Sequence, residues 1–303
     1  MKKIFSILII LLIICGCRNS KSNKITIVTT NFPSYDFVRS ITKNSDIEVK
    51  MLLKPGMEMH GYEPTPQDII DINNSKLFIY VGGESDSWID DVLQDINTDN
   101  KKIIKLMDLV DLCDEEIKDG MDIEEEDKES DEHVWTSPMN AIKIIDSLKE
   151  EIKDIDPDNS SLYEDNANNY IDEIKEIDIE IRDIVKNSKR KELIFGDRFP
   201  LLYFVKEYNL DYYAAFPGCS EQTEASAKTI SFLIDKVKSD NIPVIFHIEL
   251  SNSKIADTIA SETGTKVLKF NSAHNITKDE FDKGVTYVDL MKDNIKVLKE
   301  ALN

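Results

Sequence analysis

The alternation of apolar and polar positions divides residues 25–303 into short strands and amphipathic helices. Runs of β-branched and aromatic residues bounded by turn residues predict strands, and apolar residues spaced three and four apart predict helices. In the first half the predicted strands are residues 25–30, 49–53, 77–81 and 103–106, and the predicted helices are 34–42, 66–73, 87–96 and 138–153. In the second half the strands are 192–195, 211–216, 244–248 and 266–270, and the helices are 201–208, 225–238, 254–263 and 285–302.

Residues 160–186 lack glycine and proline and carry apolar side chains at helical spacing. They predict a single amphipathic helix roughly 40 Å long. Because strands and helices alternate on both sides of it, each half predicts a parallel sheet. The expected fold is therefore α/β, with two lobes that each contain a roughly four-stranded parallel sheet flanked by helices. The predicted boundaries are 25–157 for the N-terminal lobe, 158–190 for the connecting helix and 191–303 for the C-terminal lobe.

The first 24 residues read as an export signal followed by a tether. Lys2 and Lys3 precede an apolar run over residues 4–14, which is too short to cross a bilayer. The run ends in Ile14-Cys15-Gly16-Cys17, which resembles a bacterial lipobox. The resemblance implies a signal peptide over residues 1–16, lipidation of Cys17 and a tether over residues 17–24. We therefore expect a cell-membrane lipoprotein at the extracytoplasmic face; an ordinary secreted protein cleaved nearby is the alternative.

The net charge of −21 argues against nucleic acid or an anionic membrane surface as a partner. Thirteen Asp or Glu and two Lys fall within residues 111–132, a local net charge of −11. Such a run is usually a solvated, self-repelling loop that does not pack into a core. It could also collect cations, since it leads directly into His133. Cys113 and Cys219 do not form a disulfide framework, and whether they pair stays open.

Only four histidines occur in the 303 residues. His60 and His133 lie between turn residues and predicted helix starts, and imidazole is the commonest protein ligand for Zn²⁺. His274 follows the last predicted strand. Asp197 and Glu249 also follow strand ends, where open parallel sheets bind their ligands. These side chains could therefore converge on a cleft between the lobes.

Two sequence blocks are specific as a pair: His60-Gly61-Tyr62-Glu63-Pro64-Thr65-Pro66 and His133-Val134-Trp135-Thr136-Ser137-Pro138. With residues 28–37, 157–159 and 218–224 they make the chain resemble the cluster A-I solute-binding lipoproteins of ABC transporters for zinc and manganese. The resemblance implies two α/β lobes, a rigid connecting helix and one metal between the lobes. It also implies delivery of the metal to a membrane permease.

The resemblance carries His60 and His133 over as ligands, but the second lobe departs from the family pattern. Arg198 stands where the family has a His or Glu, and a guanidinium cannot ligate a metal. His274 is the strong ligand of the loop where the family has its Asp. The predicted set is His60, His133 and His274, with Asp197 or Glu249 completing it. A salt bridge to Arg198 is the alternative for both carboxylates, and His247 is expected to be packed or to support a ligand.

The donor set favours zinc as the bound ion. Three imidazoles with one carboxylate or water suit tetrahedral Zn²⁺, whereas two imidazoles with two carboxylates would favour Mn²⁺. We expect no enzyme activity, because the sequence has no His-Glu-x-x-His, Gly-x-Ser-x-Gly or Walker-type motif. A surface adhesin is a further alternative that could coexist with transport. The chain is expected to act as a monomer alongside an ABC permease.

Overall fold

Two four-stranded parallel sheets organise the molecule, as the alternating pattern predicted. The computed structural model describes residues 24–59, 61–121, 129–220 and 224–303. The first sheet has the order β2-β1-β3-β4 and the second has the order β6-β5-β7-β8, with parallel neighbours throughout. The strands are β1 (Thr26–Thr29), β2 (Glu48–Met51), β3 (Leu77–Tyr80), β4 (Lys102–Lys105), β5 (Glu192–Arg198), β6 (Asp211–Phe216), β7 (Val244–Ile248) and β8 (Lys266–Phe270).

Helices flank both sheets and connect consecutive strands. In the first lobe they are α1 (Phe32–Ile41), α2 (Pro66–Asn74), α3 (Trp88–Asp95) and α4 (Pro138–Ile155), followed by the long α5 (Ser160–Asn187). In the second lobe they are α6 (Leu202–Tyr208), α7 (Ala227–Ser239), α8 (Lys254–Thr263), α9 (Lys278–Asp282) and α10 (Tyr287–Leu302). None of the helices in these described ranges is long and apolar enough to cross a membrane.

Local capping fixes where several helices begin. Thr65 and Asp68 form a reciprocal capping box at the start of α2, as expected for a Thr before Pro66. Thr286 forms the same box at the start of α10. The single helix predicted over 285–302 therefore begins at Tyr287, and the short α9 before it was not predicted. Gly284, at φ +73, separates the two helices in a conformation that favours glycine.

The long helix α5 packs against both lobes. Its buried face includes Tyr163, Ile174 and Ile181, and one apolar cluster runs from Phe37 of α1 across α5 to Phe270 of the second sheet. The helix therefore forms a shared wall of the core.

The acidic segment comprises residues 111–132, and its described parts, 111–121 and 129–132, pack against the C-terminal lobe. Asp114 and Ser130 form an antiparallel bridge, so the two flanks of the segment pair with each other. Lys118 reaches Asp211 at 2.8 Å, and Lys206 reaches Glu116 at 2.9 Å. The expectation of a solvated loop is wrong for these flanks. Glu116 and Lys118 form ion pairs with Lys206 and Asp211 of the other lobe. Residues 122–128 lie outside the described residues.

Candidate metal site

His133 is fully buried and held in one orientation by a carboxylate. It lies beyond β4 and the acidic segment, at the start of a short 3-10 turn. Asp131 Oδ1 accepts the backbone N–H of His133 at 2.8 Å and lies 3.0 Å from its Nδ1. Because a carboxylate only accepts, Nδ1 carries the proton and Nε2 presents its lone pair. Tyr203 Oη in turn donates to the backbone carbonyl of Asp131 at 2.7 Å.

His274 is placed by the loop that follows β8. Glu249 Oε1 accepts the backbone N–H of His274 at 2.9 Å and the hydroxyl of Ser272 at 2.7 Å, while Oε2 accepts the backbone N–H of Ser272 at 2.7 Å. The buried Ala273 between them has φ +60, a conformation that L-residues rarely adopt. Glu249 therefore shapes the loop that carries His274.

The two imidazoles meet at the boundary between the lobes. Their ring centroids lie 5.0 Å apart at an interplanar angle of 86°. Trp135 packs beside both rings, and its Nε1 donates to the carbonyl of Ser272 at 2.8 Å. This hydrogen bond ties the His133 turn to the loop of His274.

Glu132 completes a cluster that sequence reasoning missed. Ligand atoms of Glu132, His133 and His274 all lie within 4.8 Å of one another, and all three residues are buried. Ser85 holds the Glu132 carboxylate through its backbone N–H, at 3.1 Å, and through its hydroxyl. A Cβ at Gly83 would lie 2.5 Å from Glu132 Oε2, so the glycine makes room for the carboxylate. The available signal is the position of Glu132 directly before His133, but the sequence does not distinguish Glu132 from the other acidic residues of 111–132.

The other predicted carboxylates face backbone amides. Asp197 Oδ2 accepts the backbone N–H of Ile248 at 3.0 Å, and its Oδ1 accepts that of Arg198 at 2.9 Å. The structure does not bring Asp197 or Glu249 into the three-residue cluster. The Arg198 side chain pairs with Glu58 at 2.7 Å rather than with either predicted carboxylate.

Two predicted positions, His60 and Cys17, lie outside the described residues, so their placement stays a prediction. Residues 54–59, which precede His60, are described, and Met59 Sδ lies 3.0 Å from His274 Nε2. The loop that leads to position 60 therefore touches the cluster. His247 is half-buried with its Nδ1 2.9 Å from the carbonyl oxygen of Ile248, in keeping with a packed residue.

Burial and neighbouring charges shift the acidity of the cluster. Burial disfavours protonation of His133, but the charges of Asp131, Glu132 and Glu115 outweigh it and raise the pKa of His133 above its usual value. Burial also raises the pKa of the Glu132 carboxyl, although His133 and the hydrogen bonds from Ser85 oppose the shift. Without a cation, both shifts favour the protonated forms of His133 and Glu132. A bound divalent ion would supply positive charge in place of these protons.

Cys113 and Cys219 are both free thiols in the structure. Burial is the largest cause that raises the pKa of each thiol. Both are therefore poorly suited to act as thiolate ligands at neutral pH.

Two parallel-sheet lobes, a linking helix and buried imidazoles from both lobes define a metal-binding protein of the solute-binding class. The sequence profile of the zinc-uptake complex component A, periplasmic, matches residues 27–301, and the chain belongs to that family. This is a family of transport proteins that bind a solute, not a family of enzymes.

The relatives agree with this assignment. The chain is 33% identical over 296 residues to the high-affinity zinc uptake system protein ZnuA of Bacillus subtilis, covering 95% of this chain and 90% of that protein. It is 29% identical over 309 residues to the zinc-binding lipoprotein AdcA of Streptococcus pneumoniae, covering 99% of this chain and 61% of that longer protein.

Solved structures show the same fold. The metal-dependent lipoprotein YcdH of Bacillus subtilis superposes with a TM-score of 0.78 at 32% identity, covering 92% of this chain and 99% of that one. The Zn(II)-bound ZnuA-like domain of Streptococcus pneumoniae AdcA gives a TM-score of 0.76 at 27% identity, with the same two coverages.

Proposed function

We propose that this protein captures a zinc ion between its two lobes and delivers it to an ABC permease. The observation that supports the proposal most is the buried cluster of Glu132, His133 and His274, which draws donors from both lobes. His60 is proposed as the third imidazole, since its loop reaches the cluster through Met59. Asp197 and Glu249 are assigned supporting roles because their carboxylates already accept backbone N–H groups.

The proposed donor set selects the metal. Three imidazoles and one carboxylate match the four-coordinate tetrahedral preference of Zn²⁺. Mn²⁺ prefers more oxygen donors, and here Glu132 is the one carboxylate of the described cluster. The zinc-bound relative supports the same choice. We therefore rank zinc above manganese as the transported ion.

The proposed delivery to a permease implies that the chain works outside the cytoplasm, beside that permease. We propose that lipidation of Cys17 holds it at the membrane as a monomer. Labelling with radioactive palmitate would test the anchor, and a Cys17→Ser variant should lose the label and appear in the culture medium.

Metal content and calorimetry test the site. The protein purified without chelator should contain about one zinc per chain, and His133→Ala or His274→Ala should weaken binding at least 100-fold, roughly the effect of losing one ligand. Glu132→Gln should weaken it as well if the carboxylate binds the ion. His247→Ala is the matched control and should bind as the wild type does. Wild-type zinc affinity in His274→Ala would refute the assignment.

A further inference from the structure

Residues 54–59 of the N-terminal lobe contact the C-terminal lobe through hydrogen bonds that involve no metal. The Asn275 side chain donates to the carbonyls of Lys54 and Met57, both at 2.8 Å. The backbone N–H of Gly56 donates to the carbonyl of Ile276 at 2.7 Å. We call this segment the docked loop, because it follows β2 of its own lobe whereas its partners Asn275 and Ile276 follow β8 of the other lobe.

An ion pair adds a charged contact to the docked loop. Arg198 lies at the end of β5, and its Nη2 is 2.7 Å from Oε2 of Glu58. The other terminal nitrogen of Arg198 donates to the carbonyl of Ser220 at 3.3 Å, and Glu58 Oε1 accepts the backbone N–H of Met59 at 3.2 Å. Both side chains are therefore oriented by their own lobe. The Arg198 side chain is only 12% exposed, whereas that of Glu58 is 44% exposed, so solvent reaches the pair from the Glu58 side and screens it in part.

We propose that Arg198 is a positioning residue for metal retention: its ion pair with Glu58 latches the docked loop across the cleft and slows release of the bound cation. The inference rests on the proposed function, since it concerns the same site. Met59 follows Glu58 and touches His274, so the pair fixes a neighbour of the metal cluster. Charge-assisted hydrogen bonds are stronger than neutral ones, and this one must break before the loop can leave.

The latch has a kinetic signature that separates it from simple electrostatics. Neutralising either partner breaks the pair, so both changes should speed dissociation of the cation. Their effects on association should differ in sign. Removing the guanidinium takes a positive charge from the cleft and should speed cation capture, whereas removing the Glu58 carboxylate should slow it.

The experiment uses the full chain in detergent and measures zinc release into an excess of chelator by stopped flow. Arg198→Gln and Glu58→Gln should each release zinc about tenfold faster than the wild type, as expected for loss of one charged hydrogen bond. The exchanged pair, Glu58→Arg with Arg198→Glu, should return the rate to within about threefold of the wild type. Arg190→Gln is the matched control, because Arg190 contacts the carbonyl of Ala301 instead, and it should leave the rate unchanged.

A second readout needs no metal. In the metal-free protein, amide hydrogen exchange at Gly56 should accelerate in Arg198→Gln and recover in the exchanged pair. Wild-type release and exchange rates in both single variants, or no recovery in the exchanged pair, overturn the latch. If the wild type binds no zinc, the proposed function fails, and hydrogen exchange still decides whether the ion pair holds the loop.

Discussion

At the scale of single residues, Asp131 decides how His133 meets a cation. We expect Asp131→Asn to weaken zinc binding by about 10- to 100-fold, because an amide neither stabilises the polarised imidazole nor fixes its tautomer as a carboxylate does. Competition against a zinc chelator would measure the loss. The thermal midpoint of the metal-free variant is the control for misfolding. An unchanged zinc affinity would mean that Asp131 serves only the backbone turn.

The residues of the site were predictable to different degrees. His133 and His274 could be found because histidine is rare in this chain, His133 lies just before a predicted helix start and His274 follows the last predicted strand. Glu132 could not be found, because its environment comes from a loop distant in sequence. In that loop Ser85 donates hydrogen bonds to the Glu132 carboxylate, and Gly83 leaves room for it. For the same reason Glu249 was predicted as a ligand, although its oxygens bind the backbone of Ser272 and His274.

At the scale of elements, the acidic segment is a structural tie between the lobes. Glu115 accepts the backbone N–H of Cys219 at 3.0 Å, and Met121 is buried. We therefore expect deletion of residues 115–130 to lower the melting temperature and to weaken zinc binding, because Asp131 and His133 follow directly. Differential scanning fluorimetry and calorimetry would measure the two effects. Asp119→Asn, at an exposed position of the same segment, should change neither.

Elements governed by local pattern were predicted, and elements governed by distant partners were not. The succession of strands and helices along the chain and the two four-stranded parallel sheets follow from the alternating pattern, and they are confirmed. The packing of the acidic flanks depends on Lys206 and Asp211, which belong to the other lobe. A count of charges along the sequence does not include partners that are brought near only by folding.

At the scale of the whole molecule, pH should act oppositely on the metal-free and the zinc-bound protein. Burial, aided by the charge of Glu132, raises the pKa of Asp86 to about 7, and the pKa of His133 is also raised. A raised pKa stabilises the fold below the unfolded-state pKa, and this stability is lost as pH rises through the folded-state pKa. The metal-free protein should therefore lose stability between about pH 4 and pH 7 through Asp86, and above about pH 6.5 through His133.

Zinc binding requires neutral imidazoles, so the stabilisation by zinc should grow over the same range. A ligand at a thousandfold excess over its dissociation constant stabilises the native state by about 4 kcal/mol. Melting curves should show a zinc-induced rise of several degrees at about pH 7.5 and a much smaller rise at about pH 5.5. A rise that is equal at the two pH values would contradict titrating imidazole ligands.

The apolar cluster that runs across α5 has a consequence for how the protein melts. Because Phe37 of the first lobe and Phe270 of the second belong to one cluster, neither lobe can lose its packing without exposing the other. The metal-free chain should therefore unfold in a single cooperative transition, with a calorimetric enthalpy equal to the van't Hoff enthalpy. Two resolved heat-absorption peaks would show that the lobes are thermodynamically independent.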